Sequence, residues 1–184
     1  MSKNILVVTG SARSNGNTMT LARSFISGAR KSGHAVRRFD AANKKIEPCR
    51  ACDNCWRKGK PCIVADDFNT ISPFLHVSDI IVFVTPLYWG TFSSGTKLFI
   101  DKLRAYLSDK RMKQLRIKEA MIILTAAENN KDTFDAALHT YKMLCEKFNW
   151  ENKGVLLIGG LDNIGDINEK EELREAYELG LSIK

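Results

Sequence analysis

Five short strand candidates recur along the chain, four of them apolar runs and one, HAVRRFD, alternating, each followed by a stretch of helical spacing, and this order restricts the fold more than any other feature. The runs are NILVVT (4–9), HAVRRFD (34–40), DIIVFVTP (79–86), EAMIILTA (119–126) and KGVLLIGG (153–160). The helical stretches are MTLARSFISGARKSG, stopped at Gly33, and DDFNTISPFLHVSD (66–79), with Asp66 near its cap. Three more follow: GTKLFIDKLRAYL (95–107), KDTFDAALHTYKMLCEKFNW (131–150), capped by Asp132 or Thr133, and NEKEELREAYELGLSI (168–183). Strands that read as near-continuous apolar runs are buried on both faces. The order therefore predicts an α/β, three-layer, doubly wound sheet of five parallel strands. Right-handed crossovers leave few topologies, and strand order 2-1-3-4-5 is expected. Pro73 fits its helix only in the first turn or at a kink. A chain of 184 residues reads as one domain, 1–184. One irregular stretch, 41–65, is longer than ordinary connections and reads as an insertion.

The loop after the first strand, GSARSNGNT (10–18), enters a helix, and such a turn cradles anions through converging N–H groups and the helix dipole. Five residues separate Gly10 from Gly16, and Asn17 stands where a triphosphate loop would carry its lysine. Ala12 stands where a dinucleotide fingerprint needs its second glycine. What remains is a set of neutral donors with one arginine, suited to a single terminal phosphate. The loop resembles the phosphate loop of the flavodoxin-like NADPH-dependent FMN reductases, GSxRxxGNT. The resemblance implies that Ser11, Arg13, Asn15, Gly16, Asn17 and Thr18 surround the phosphate of FMN.

In a doubly wound sheet, ligands lie outside the carboxyl ends of the strands at the switch point. The third strand ends there in PLYWG (86–90), whose aromatic groups and free amides suit a flat ring. The stretch TPLYWGTFSSGTKLFIDK is similar to the P-x-Y-x-G…S…K-x-x-x-D-R segment of the same family, through Pro86, Tyr88, Gly90, Ser93, Lys97 and Asp101. Lys102 replaces the usual arginine. Pro86, Leu87, Tyr88, Trp89 and Gly90 are thus candidates for the ring, and the small residues Thr125 and Ala126 after the fourth strand for its polar edge.

Four cysteines, Cys49, Cys52, Cys55 and Cys62, fall within fourteen residues of the 41–65 stretch. The spacing C-x2-C-x2-C with a further cysteine suits a cubane iron–sulfur cluster. It is similar to that of iron–sulfur flavoproteins in the same superfamily, which pair FMN with a 4Fe–4S cluster. Related flavin reductases carry a comparable segment without a demonstrated cluster, so free or oxidised thiols in a substrate-side or dimer-contact loop are a second arrangement, and a tetrahedral zinc site is a third. Cys145 reads as a small buried hydrophobe. His34, His76 and His139 are dispersed and read as structural or surface residues.

The formal net charge is +7, with positive residues scattered and densest in SDKRMKQLRIK (108–118), read as a solvated helix end and loop. No nucleic-acid partner is expected. No apolar run approaches the roughly 18 residues of a membrane span, and a cytoplasmic location is expected. The expected activity is that of an FMN-binding oxidoreductase. It would take hydride from NAD(P)H and pass electrons to a flavin, quinone or other acceptor, with no side-chain nucleophile. The alternative is an electron-transfer or redox-sensing module holding FMN and a cluster. The resemblance further implies a homodimer or homotetramer.

Overall fold

The computed structural model describes residues 1–107, 114–130 and 132–184. Six strands and six α-helices alternate in the order β1 (Asn4–Thr9), α1 (Asn17–Lys31), β2 (Ala35–Asp40), α2 (Asn54–Lys58), α3 (Asp67–Val77), β3 (Ile80–Tyr88), β4 (Thr91–Phe92), α4 (Ser94–Lys102), β5 (Glu119–Thr125), α5 (Asp135–Phe148), β6 (Glu151–Ile158) and α6 (Glu172–Leu181). The parallel sheet has order β2-β1-β3-β5-β6, and β4 pairs antiparallel with β3 as a short extra arm. Setting β4 aside, this is the expected 2-1-3-4-5 order.

Side chains alternate across the strands, so each strand feeds two cores. Leu6, Val8, Ile81, Phe83, Ile122 and Leu124 face one side, where α3, α4 and α5 cover them with Phe68, Leu75, Phe99 and Tyr141. Ile5, Val7, Val82, Val84, Met121 and Ile123 face the other, against Leu21, Phe25 and Ile26 of α1 and Ala176 of α6. Each buried Leu, Ile or Phe contributes about 1.5–3 kcal/mol of hydrophobic stabilisation, so the two-sided burial dominates the fold. The helices α1 and α6 approach to backbone contact. A Cβ at Gly28 would lie 2.0 Å from the Tyr177 carbonyl oxygen, and one at Gly180 would lie 2.2 Å from that of Phe25.

Several boundaries differ from the sequence reading. The α5 helix has no side-chain cap and starts after Phe134, because Thr133 Oγ1 instead accepts from Asn130 N–H at 3.2 Å. Pro73 lies in the second turn of α3, where its missing N–H leaves the Asn69 carbonyl without its helical donor. Asp66 does cap α3, accepting from Phe68 N–H at 3.1 Å. The α4 helix tightens after Lys102 into a 3-10 turn, Leu103–Leu107. The outer strands β2 and β6 are only partly buried, since each lies at a sheet edge. Of the basic stretch 108–118, residues 108–113 lie outside the described residues; Arg116 pairs with Asp79 at 2.7 Å. His34 is buried, its ring bridging Lys3 N–H at 3.1 Å and the Ile183 carbonyl at 3.0 Å. Among the described residues no helix is long and apolar enough to cross a membrane.

Candidate cofactor site

The loop after β1 is built by its glycines and braced from below. Thr85, Ser93 and Thr96 are buried beneath it, and Ser93 Oγ donates to the Gly10 carbonyl at 2.7 Å. A Cβ at Gly10 would lie 2.1–2.6 Å from the hydroxyls of all three. The pattern residue Ser93 therefore supports the loop from underneath. Gly16 occupies the N-cap of α1 in an extended conformation and supplies no side-chain cap. The first-turn amides of a fifteen-residue helix thus face the loop without a side-chain acceptor, and the helix dipole adds partial positive charge there.

The hydroxyls and amides of the loop are largely engaged within the protein. Ser11 Oγ accepts from Arg13 N–H at 3.2 Å, and the Thr18 and Thr125 hydroxyls bond each other at 2.7 Å in the interior. The Asn17 amide reaches across to the loop after β6: it donates to the Asn163 carbonyl at 2.7 Å and accepts from Gly165 N–H at 2.9 Å. The expectation that all these side chains surround an anion is thereby narrowed. Backbone amides and the exposed Arg13 are left to face a ligand.

Ser11, Arg13, Gly16, Asn17 and Thr18 share one cavity of about 230 Å³ with Pro86, Leu87, Tyr88, Thr125 and Ala126. The three loops flagged by the sequence are thus brought together over the ends of β1, β3 and β5. Leu161, Asp162 and Ile164, from the loop after β6, also line it and were missed. Their only signal was position after a C-terminal strand end. Asn15 is exposed on the loop and does not line the cavity. Trp89 and Gly90 line an adjoining cavity of about 650 Å³, which shares Leu87, Ala126 and Ala127 with the first. They form the turn between β3 and β4 with positive φ of 52° and 71°, and Trp89 projects fully into solvent. Glu128, Asn130, Asp132 and Thr133 form the opposite wall.

The cysteine stretch is a separate structure. Cys49, Cys52, Cys55 and Cys62 all line a cavity of about 180 Å³. Its back wall is Lys102, Arg104 and Ala105, and it shares no lining residue with the other two. These residues stand at the end of α4 remote from Ser93, about 13 Å along the helix at 1.5 Å per residue. Lys102 makes an ion pair with Asp66, and both side chains are buried, at 1% and 0% exposure. Asp66 also accepts from Glu47 N–H at 2.8 Å, so one carboxylate ties the stretch to α3 and α4. The lysine at 102 keeps a salt bridge despite replacing the usual arginine. On the surface, Trp56 Nε1–H donates to the Arg104 carbonyl at 3.0 Å, and Arg104 pairs with Asp53 at 3.0 Å. Hydrogen bonds from Asn54, its backbone first, and the charge of Arg57 lower the Cys52 thiol from its ordinary value. Burial, assisted by the neighbouring Cys49 and Cys62, raises that of Cys55. Burial likewise raises that of Cys145, the expected small hydrophobe.

Residues 3–147 match the family model described as NADPH-dependent FMN reductase. The chain belongs to that family. The NADPH-dependent FMN reductase fold is shared by the NAD(P)H:quinone oxidoreductase of Methanothermobacter marburgensis, at TM-score 0.75 and 18% identity over 98% of this chain and 96% of that one. An iron–sulfur flavoprotein of Methanocaldococcus jannaschii is 34% identical over 55% of this chain and 50% of its own length. A second one from that organism is 24% identical over 76% of this chain and 72% of its own length. The first match thus spans about half of that relative.

The residues present fit FMN. The phosphate-loop cavity of about 230 Å³ is smaller than most ligand sites, roughly 300–1,000 Å³, but together with its neighbour of about 650 Å³ it offers room for an anionic group at one end and a flat ring at the other. For a cluster, the donor chemistry fits, with four thiols on one cavity wall. The placement does not. Among the described residues, no three Cys, His, Asp or Glu side chains are gathered as a metal-ligand set.

Proposed function

We propose that the chain binds FMN and works as an oxidoreductase that takes hydride from NAD(P)H and delivers electrons to a quinone, a free flavin or another small acceptor. One observation carries this reading: the joined cavity over the ends of β1, β3 and β5, with the uncapped start of α1 at its closed end. The amides of Asn17 and Thr18, with the Arg13 guanidinium, bind the phosphate; charge-assisted bonds of this kind are roughly twice as strong as neutral ones. The Thr18–Thr125 bond fixes the distance between the phosphate loop and the wall that meets the ring. Tyr88 and Leu87 flank the ring, and the amide of Gly90 approaches its edge. Trp89, which turns outward into solvent, stands at the rim of the mouth. Bound FMN supplies the hydride and electron chemistry, while the chain positions it and limits water. The mouth at Trp89 stays wide enough for a second planar molecule, and a second copy of the chain, in a homodimer or homotetramer, is suited to close it.

Purified protein should show flavin absorbance or take up added FMN one to one, and NADPH should bleach it without oxygen. A chain that neither carries nor takes up flavin would rule the reading out. A second reading, an electron-transfer or redox-sensing flavoprotein holding a 4Fe–4S cluster at Cys49, Cys52, Cys55 and Cys62, rests on their spacing and shared cavity and requires the four thiols to draw closer together than they stand here. Four iron and four sulfide per chain after anaerobic purification would support it; the absence of both would end it.

A further inference from the structure

The cavity of about 650 Å³ at the mouth carries charge of one sign. Glu128 and Asp132 line it from the segment after β5, and both are exposed. Among the described residues no Lys or Arg lines it; Lys131 lies outside them. Arg13 lines the adjoining cavity, beside the phosphate loop. The joined site is therefore polarised, cationic at its closed end and anionic at its mouth. In a chain of formal net charge +7, an acidic mouth runs against the background field.

The acidic wall is held by backbone. Gly160 N–H donates to the Ala127 carbonyl at 3.0 Å, and Asn130 N–H donates to Thr133 Oγ1 at 3.2 Å. A Cβ at Gly159, just past β6, would lie 2.6 Å from the Glu128 carbonyl oxygen, so the two loops pack backbone on backbone. Opposite this wall stands Trp89, fully exposed and held at a φ of 52°, a conformation that bulky residues rarely adopt. An indole face is the aromatic surface that best attracts a cation. A cation entering here meets an indole on one side and two carboxylates on the other.

We propose that this mouth is the acceptor subsite and that it selects by charge, taking planar acceptors that carry a cationic group and refusing those that carry an anionic one. The proposal rests on the oxidoreductase reading and narrows its acceptors: free FMN, with its phosphate, becomes a poor one. Glu128 and Asp132 determine specificity, and Trp89 supplies the stacking face. A quinone bound there gains a hydride from reduced FMN and a proton from water, and leaves as the quinol with FMN returned to its oxidised form. The carboxylates take no part in that transfer; they set which acceptor reaches it.

The test uses the full chain loaded with FMN and photoreduced without oxygen, so that no nicotinamide is needed. Reoxidation is followed by stopped flow with two naphthoquinones, one bearing a trimethylammonium group and one a sulfonate. The quantity read is the ratio of their second-order rate constants, cationic over anionic, and its change on substitution, which cancels their different intrinsic reactivities. Glu128→Gln should lower the ratio about tenfold, since one charge a few ångströms away in water shifts each rate about threefold, in opposite directions. Asp132→Asn should lower it as well, and Glu128→Lys by about a hundredfold. Glu146→Gln removes the same charge near the far end of α5 and should leave the ratio within about twofold. Raising the salt from about 0.02 to 0.5 M should shrink the wild-type ratio toward that of Glu128→Gln. A ratio unmoved in both Glu128→Gln and Asp132→Asn, one moved equally by Glu146→Gln, or one that grows with salt would overturn the proposal. Binding of the same pair to the flavin-free chain, followed by the fluorescence that Trp89→Phe removes, reads the charge preference without electron transfer. A chain that takes up no FMN therefore counts against the oxidoreductase reading, while the preference is still decided.

Discussion

The phosphate loop and the cysteine stretch both connect a strand end to a helix, yet they are held in opposite ways. The loop from Gly10 to Gly16 is short, sits over buried hydroxyls of β3 and α4, and shows its ligand mainly backbone. The stretch from Ala41 to Ala65 is long and contains a 3-10 turn, Ala41–Asn43, and the five-residue α2. It is fastened by side chains: the buried Asp66–Lys102 pair, and Trp56 and Asp53 on Arg104. Three of its residues, Ala51, Asp53 and Gly59, adopt positive φ. Backbone-made sites resist most substitutions but not a change at a glycine. Side-chain-made sites depend on one or two contacts.

The largest difference should come from Lys102→Met. Removing one partner of a buried pair strands the other charge, at a cost of about 3–5 kcal/mol. For a chain of this size the melting temperature should fall by about 6–20 °C. Protease sensitivity should rise first within residues 41–65, FMN affinity should change little, and the double variant Lys102→Met/Asp66→Asn, which removes the stranded charge but keeps an acceptor for Phe68 and Glu47 N–H, should recover part of the loss. Unaltered melting in the single variant would mean that this pair does not fasten the stretch. Next, Gly10→Ala forces a methyl against three hydroxyls, an overpacking of about 1–3 kcal/mol. It should cost FMN affinity by fluorescence titration while alkylation of the cysteines proceeds as before. Equal loss at both sites would dissolve the contrast.

Thr125→Val, which removes the partner of Thr18, should cost about 1 kcal/mol by urea titration and weaken FMN a fewfold. A smaller effect concerns Tyr106, which burial pushes up to about 12 and whose hydroxyl donates to Ser72 at 2.8 Å. The folded chain keeps this proton longer than the unfolded one. The associated stability is therefore whole below about pH 10 and lost as pH rises toward 12. Tyr106→Phe should flatten that part of the stability profile. Smallest of all, alkylation rates near neutral pH should place Cys52 first and Cys145 last, since one thiol is lowered and exposed and the other raised and buried.

The fold was legible because both faces of the sheet are covered. Runs such as IIVFVT have no polar alternation to confuse with a helix. The phosphate loop was legible because glycine spacing reports backbone geometry directly. What was hidden depends on partners distant in the chain. Nothing near Asn17 announces that its amide turns to Asn163 and Gly165, and nothing near Lys102 announces Asp66. The elements α2 and β4, of five and two residues, are too short to show a period.

The Asn17 amide also bears on the order in which the molecule is completed. Its contacts close a span of 146 residues, from the start of the first helix to the loop that follows the last strand. Chains emerge from the ribosome amino end first, and pairings this remote in sequence form late. A nascent chain can therefore display the whole signature of its phosphate loop while the cavity beside that loop still lacks the lining supplied after β6. On the proposed reading, FMN supplied during synthesis has no complete seat until Leu161, Asp162 and Ile164 have left the tunnel.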